Sequence, residues 1–167
     1  MALELTPELL VEIHRIERLK YAYLRCLDRK EWDELRTLFL PHATASYGGG
    51  AKEITGGDAI VDWLEETMGD AAFHSAHRCT QPEIDFDDES HAFGRWALVD
   101  WVIDTRWDIC VQGASFYEDR YEQVDGQWRL AHTGYLRTYE EIYPRGSVEG
   151  LRLTASFSET AGRSTLL

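Results

Sequence analysis

The chain of 167 residues carries 30 Asp and Glu against 17 Lys and Arg, a formal charge of −13, and is about one domain long. That acidity excludes nucleic acid and an anionic membrane surface as natural partners, because both are bound through clustered positive charge. A hydrophobic content of 44% with 12% aromatics belongs to a folded globular chain and excludes a disordered acidic tail.

In chain order, Thr6-Pro7-Glu8 supplies an N-cap, a proline at the first helical position and an acid in the first turn. Leu9, Ile13, Ile16, Leu19, Tyr23 and Leu27 then recur at spacings of three and four, which predicts one long amphipathic helix. Asp28 to Lys30 break it. Glu31–Leu40 reads as a second, shorter helix with Trp32, Leu35 and Leu38/Phe39 on one side, ended by Pro41. Thr44–Tyr47 is a short strand, followed by a turn at Gly48-Gly49-Gly50. Gly57-Asp58 caps a third helix over Ala59–Met68, with Ile60, Trp63, Leu64 and Met68 inward. Beyond Asp70 the texture becomes that of strands: Phe73–Phe86, Ala92–Asp104, Ala114–Val124 and Trp128–Tyr139. Turns at Asp87-Asp88-Glu89 and Asp125-Gly126 separate them, the second a tight hairpin.

Helices followed by long antiparallel strands are the α+β pattern, with the helices packed on one face of a curled sheet. Such a sheet closes into a cone whose apolar interior takes a small molecule. One cone uses residues 1–145. The Ser-, Thr- and Gly-rich tail, 146–167, is either disordered or laid across a neighbouring subunit.

Cys26, Cys79 and Cys110 form no CxxC pair, so neither a disulfide framework nor a zinc knuckle is expected, and a reduced cytoplasmic setting fits. The N-terminal residues mix charge with apolar positions and do not read as a signal peptide. No stretch reaches the roughly 18 apolar residues of a membrane-spanning helix. Phosphate-loop and serine-nucleophile motifs are missing, and no cofactor or metal is expected.

A few polar residues sit where a plain core would not put them. Tyr23 lies in the apolar stripe of the first helix and Asp28 follows five residues later, near its end. By pattern alone these are a core aromatic and a cap; together they are a phenol and a carboxylate near one helix end. His74 and His77, three apart on a strand, face opposite sides, so at most one enters a cavity. Asp100 stands in the apolar run Ala97-Leu98-Val99-Asp100-Trp101-Val102-Ile103, where an unpaired carboxylate would cost several kcal/mol. It needs a partner, and Arg137, in Thr133-Gly134-Tyr135-Leu136-Arg137, is placed to be one, as a structural ion pair or as part of a functional cavity.

The segment Tyr23-Leu24-Arg25-Cys26-Leu27-Asp28 with Trp32-Asp33-Glu34-Leu35 resembles the opening of the SnoaL-like, or nuclear-transport-factor-type, cone family. Pro82-Glu83-Ile84, Gly94-Arg95-Trp96, Phe116-Tyr117, Asp125-Gly126-Gln127-Trp128 and Thr133 to Glu141 together resemble the bile acid 7α-dehydratases within it, over about Leu19 to Arg145. The resemblance implies removal of water from a 7α-hydroxy-3-oxo-Δ4 steroid, carried as a free acid or coenzyme A thioester, by Tyr23, Asp28, His77, Asp100 and Arg137. It also implies a homo-oligomer, with a trimer favoured, formed over an outer sheet face carrying Trp96, Trp101, Trp107 and Trp128. Where the related scytalone dehydratases have a second histidine, this chain has Trp101-Val102. Gly48–Thr55 and Ala114–Phe116 depart from the family strings and are expected at the mouth of the cone. A thioester substrate would need a basic rim, for which Arg29, Lys30, Arg36, Arg78 and Arg106 are candidates.

Overall fold

The structure, a computed structural model, describes residues 6–166. Helix α1 is Pro7–Arg29, started by the Thr6 hydroxyl accepting from the Leu9 amide at 3.2 Å and ended at Lys30, whose backbone turns left-handed. Ile16, Leu19, Tyr23, Leu24 and Leu27 form its buried face, each large apolar side chain contributing about 1.5–3 kcal/mol. Helix α2, Trp32–Thr37, is shorter than expected. Leu38 stops it, and Phe39 and Leu40 belong to strand β1, Phe39–Tyr47.

Pro41 therefore does not end a helix but lies inside a strand. The β1 ladder explains how: its register breaks between Phe39 and Thr44, and its other partner is paired only from Thr44 to Tyr47. The missing proline N–H thus falls where no ladder bond is required. That other partner is β2, Lys52–Thr55, four residues without an apolar pattern and so invisible to periodicity. Gly48, Gly49 and Gly50, with φ of 61°, 67° and 90°, make the reversal before it, a run of left-handed backbone that side chains disfavour. Helix α3 is Gly57–Met68, with Ile60, Leu64 and Met68 buried and Trp63 partly so.

The long strands follow: β3 Phe73–Phe86, β4 His91–Asp104, β5 Ile109–Val124 and β6 Gln127–Pro144. Two run further than alternation predicts. The start of β5 pairs with the end of β6, Ile109 opposite Pro144, beyond a bulge at Ala114/Ser115 that shifts the inward face by one residue. Asp125 and Gly126 close the hairpin between them with φ of 52° and 75°. The sheet order is β2-β1-β6-β5-β4-β3, parallel between β1 and β6 and antiparallel elsewhere, and the helices cover one face. This is the expected α+β architecture.

The tail carries a 3-10 turn at Arg145–Ser147 and a short helix α4, Phe157–Thr160. It lies against its own chain. The Ser158 hydroxyl donates to the Ala71 carbonyl at 2.8 Å, and the Arg29 guanidinium sits 5.1 Å from the Phe157 ring. The tryptophans divide otherwise than expected: Trp96 and Trp128 are buried inside, and only Trp101 and Trp107 are exposed. Phe116 also faces outward while Ser115 beside it is buried against Arg137, and the Gly49–Gly50 loop lies beside the exposed Leu136.

Candidate active site

Helix α1 and strand β3 meet at Asp28. Its Oδ1 accepts from His77 Nδ1 at 2.7 Å and from the Ser75 hydroxyl at 2.9 Å, and its Oδ2 accepts from the His77 backbone amide at 2.9 Å. The carboxylate is thereby held on both oxygens. With Nδ1–H donated to it, the neutral form of His77 is the tautomer that carries its lone pair on Nε2, as a general base requires. Both side chains are largely buried, at 18% exposure for Asp28 and 11% for His77. Ser75 was not singled out by sequence, although strand alternation puts it on the His77 face. A groove of about 400 Å³ between α1 and β3, lined among others by Tyr21, Leu24, Asp28, His77 and Cys79, opens onto the pair.

Strand register places Asp100 directly opposite His77, so the two side chains share a face with Cβ atoms roughly 5 Å apart. Asp100 is bound by both terminal nitrogens of Arg137, Nη2 to Oδ2 at 3.0 Å, while Nη1 also reaches Ser115 Oγ at 3.1 Å. Burial opposes the guanidinium charge, and the Asp100 hydrogen bonds outweigh it, holding Arg137 above its ordinary value. Gly113, opposite Asp100 on β5, makes room: a Cβ there would meet Arg137 Nη1 at 3.0 Å and the Tyr139 carbonyl at 2.6 Å. The partner that the apolar context of Asp100 demanded is the one expected.

Tyr23 is joined to neither pair. Its hydroxyl lies 3.3 Å from that of Tyr47, and its ring packs edge-on to Phe39 and Tyr117. Tyr47 in turn stacks on Trp63 at 5.1 Å. Burial pushes the Tyr23 phenol well up, with Tyr117 adding to it, which favours the protonated hydroxyl.

His74 faces away from His77 and has a buried Nε2 without a hydrogen-bond partner among the described residues. Burial lowers its pKa, with Lys30 and Arg145 acting in the same direction and Glu159 and Asp104 opposing them. As pH falls through the unfolded value, about 6.5, the unfolded chain takes up a proton that the native one resists, so stability declines on acidification. His74→Gln is expected to reduce the drop in urea midpoint between about pH 8 and pH 5; an unchanged drop would place the acid sensitivity elsewhere.

Two further clusters carry donor atoms. Cys26, Glu31 and Glu34 come together, but Arg25 takes both carboxylates and burial, with Glu34, pushes the Cys26 thiol up to about 11. This is an ion-pair cluster. A larger depression, about 650 Å³, is lined by His42, His91 and His132 with Asp88, Arg120 and others, and contains none of the five candidate residues. Its imidazoles are engaged by Glu122, Asp88 and Thr44.

A profile of the SnoaL-like domain family matches residues 8–134. Among solved structures, a Novosphingobium aromaticivorans protein designated a candidate scytalone dehydratase superposes with a TM-score of 0.74 at 29% identity, over 84% of this chain and 97% of its own. The hexachlorocyclohexane dehydrochlorinase LinA-type3 of Novosphingobium barchaimii superposes with a TM-score of 0.75 at 16% identity, over 88% and 97%. At that identity the second likeness is one of fold.

Proposed function

We propose, for a chain that belongs to the SnoaL-like domain family, a hydro-lyase activity that eliminates water from a hydroxylated enone, steroid-like in the manner of the bile acid 7α-dehydratases. The observation that carries this reading is the Asp28–His77 pair, with its fixed tautomer and a groove leading to it. In the reaction, His77 Nε2 removes the γ-proton of the enone and Asp28 stabilises the imidazolium that forms; as the dienolate collapses the bond to the hydroxyl breaks, and the hydroxide takes that proton back from His77 and leaves as water. That proton lies roughly six pKa units above a neutral imidazole, about 8 kcal/mol at 1.36 kcal/mol per unit. Hydrogen-bond donation to the dienolate oxygen must close the gap. The Tyr23–Tyr47 hydroxyl pair supplies it: one O–H is spent between the two oxygens and the other remains to be donated. Asp100 and Arg137 keep the neighbouring wall polar and hold substrate.

The charges around the groove favour an uncharged substrate over a coenzyme A thioester. Of the five basic candidates, Arg29 and Arg78 line it, joined by Arg25. Lys30 is spent on the Met68 carbonyl, Arg36 on Asp58, Asp62 and Glu65, and Arg106 on Asp104 and Asp70. The three groove arginines are themselves matched by Glu31, Glu34 and Asp28. Val102 occupies the inward position after Asp100, since Trp101 faces outward; the second imidazole of scytalone chemistry has no counterpart there.

Incubation with 7α-hydroxy-4-en-3-one and related hydroxy-enones tests the reading by ultraviolet absorbance. Elimination extends the conjugation and shifts the band to longer wavelength. Proton transfer without loss of hydroxide, as in a ketosteroid isomerase, does not, and tight binding without any spectral change would make the protein a carrier.

The same reading includes a homotrimer formed over the outer sheet face. Val99, Trp101, Phe116, Leu136 and Tyr139 are exposed there, and cross-strand pairing makes them neighbours, Ala97–Phe116–Leu136 in one row and Val99–Ala114–Tyr139 in the next. A contiguous apolar area of this kind calls for a cover. Trp101→Glu is expected to convert the sedimenting species to monomer; a wild-type monomer would refute the trimer.

A further inference from the structure

One buried charged pair takes no part in the chemistry above. Lys20 and Asp119 are both fully buried, with Nζ 2.7 Å from Oδ2. Asp119 is otherwise satisfied, accepting from Tyr121 OH and Thr133 Oγ1 at 2.8 Å each. The ammonium has a different environment: besides the one carboxylate it faces the Tyr117 ring, 3.3 Å from its centroid, and the Tyr23 ring at 4.7 Å. Three residues before Tyr23 on α1, Lys20 projects from the same side of the helix. A buried ion pair is seldom retained for stability, since apolar residues of like volume serve as well or better. What apolar residues would not supply is a cation against two phenol rings.

We propose that Lys20 is a positioning residue for the Tyr23 phenol, its ammonium paired with Asp119 and seated against the Tyr117 and Tyr23 rings so that the Tyr23 hydroxyl is held against that of Tyr47. This rests on the donor role given to Tyr23 above. The pair also balances charge at that wall. Burial pushes the Tyr23, Tyr47 and Tyr117 phenols up and Asp119 adds to the shift; the ammonium offsets the carboxylate and keeps the O–H a competent donor.

The test combines kinetics with a readout that needs no substrate. In protein labelled with [13Cζ]tyrosine, with the Tyr23 signal identified through Tyr23→Phe, the double variant Lys20→Met/Asp119→Asn is expected to move the Tyr23 and Tyr117 resonances. With a hydroxy-enone, the same variant is expected to lose about tenfold in kcat with KM held within about twofold. In a Tyr23→Phe background it should cost nothing further, because the two changes act through one group. An unmoved Tyr23 resonance, or equal losses in both backgrounds, would overturn the proposal. Should the double variant fail to fold, Lys20→Gln, which keeps a donor to Asp119 without the cation, carries the same comparison. If the wild-type protein turns over no hydroxy-enone, the functional reading fails, and the Tyr23 resonance alone decides the role of Lys20.

Discussion

Replacing His77 by alanine is expected to lower elimination by about 10²–10⁴-fold, the usual contribution of a positioned general base, while ligand affinity changes little. The expectation follows from the tautomer. Asp28 accepts the Nδ1–H hydrogen bond at 2.7 Å and is itself clamped by Ser75 and by the His77 amide. Asp28→Asn keeps the shape but offers an N–H where an acceptor is needed, so the imidazole reverses its tautomer and loss of the same order is expected. Ser75→Ala, which leaves two of the three bonds to Asp28, should cost far less. Single-turnover absorbance with a hydroxy-enone, together with ligand binding by fluorescence, separates chemistry from affinity. Unchanged turnover in His77→Ala would sink the assignment of the base, and loss of binding in parallel with turnover would make His77 a structural residue.

The second large effect is on stability. Arg137→Met leaves Asp100, which is 2% exposed, without its two guanidinium hydrogen bonds. Orphaning a buried charge costs about 3–5 kcal/mol, and the partial exposure of Arg137, 22% at its side chain, places this case at the lower end. Roughly 3 kcal/mol corresponds to a drop of about 6–12 °C in Tm for a domain of this size. The double variant Asp100→Leu/Arg137→Met removes both charges and should recover most of that loss. A thermal melt distinguishes the cases: a single variant as stable as the parent would mean that Asp100 has found water or another donor, and an unrecovered double variant would mean that shape, not charge, holds this part of the sheet. If the pair also holds substrate, the recovered double variant should still show a raised KM.

Much of this could be read along the chain, for definite reasons. The Thr6 cap, the three-and-four spacing to Leu27 and the change of texture after Asp70 that opens β3 are local signals, and the observed elements follow them closely. Pairing of Asp100 with Arg137 was legible because the apolar strand around Asp100 left the carboxylate no tolerable alternative. The errors share a cause. Phe39 to Pro41 read as the end of a helix because a proline usually stops one; a gap in the β1 ladder, created by strands far away in sequence, lets it sit in a strand instead. Trp96 and Trp128 read as surface candidates on composition, although only sheet register tells which face each takes.

Three parts of the candidate site were hidden altogether. Ser75 is an ordinary serine until Asp28 is brought beside it. Tyr47 meets Tyr23 only because β1 lies across from α1, and Lys20 looks like a solvated residue in an amphipathic helix until Asp119, almost a hundred positions away, is placed 2.7 Å from it. In each case the partner is distant in sequence: alternation puts Ser75 on the His77 face, but only the fold brings Asp28 to it.

By itself the sequence determined the class of fold, the order of helices and strands and the residue types able to do acid and base chemistry, because these depend on periodicity, caps and the cost of burying charge. Only the tertiary structure decided that His77 gives its Nδ1 hydrogen bond to Asp28, that Tyr23 is held by Tyr47, and that the arginines at the groove are paired with carboxylates. Those depend on contacts between elements, where a shift of one residue in register changes which side chains meet. The acidity of the chain, −13 overall, excluded polyanions from the outset. Its distribution in space, with arginine and carboxylate matched around the groove, is what the proposal of an uncharged substrate rests on.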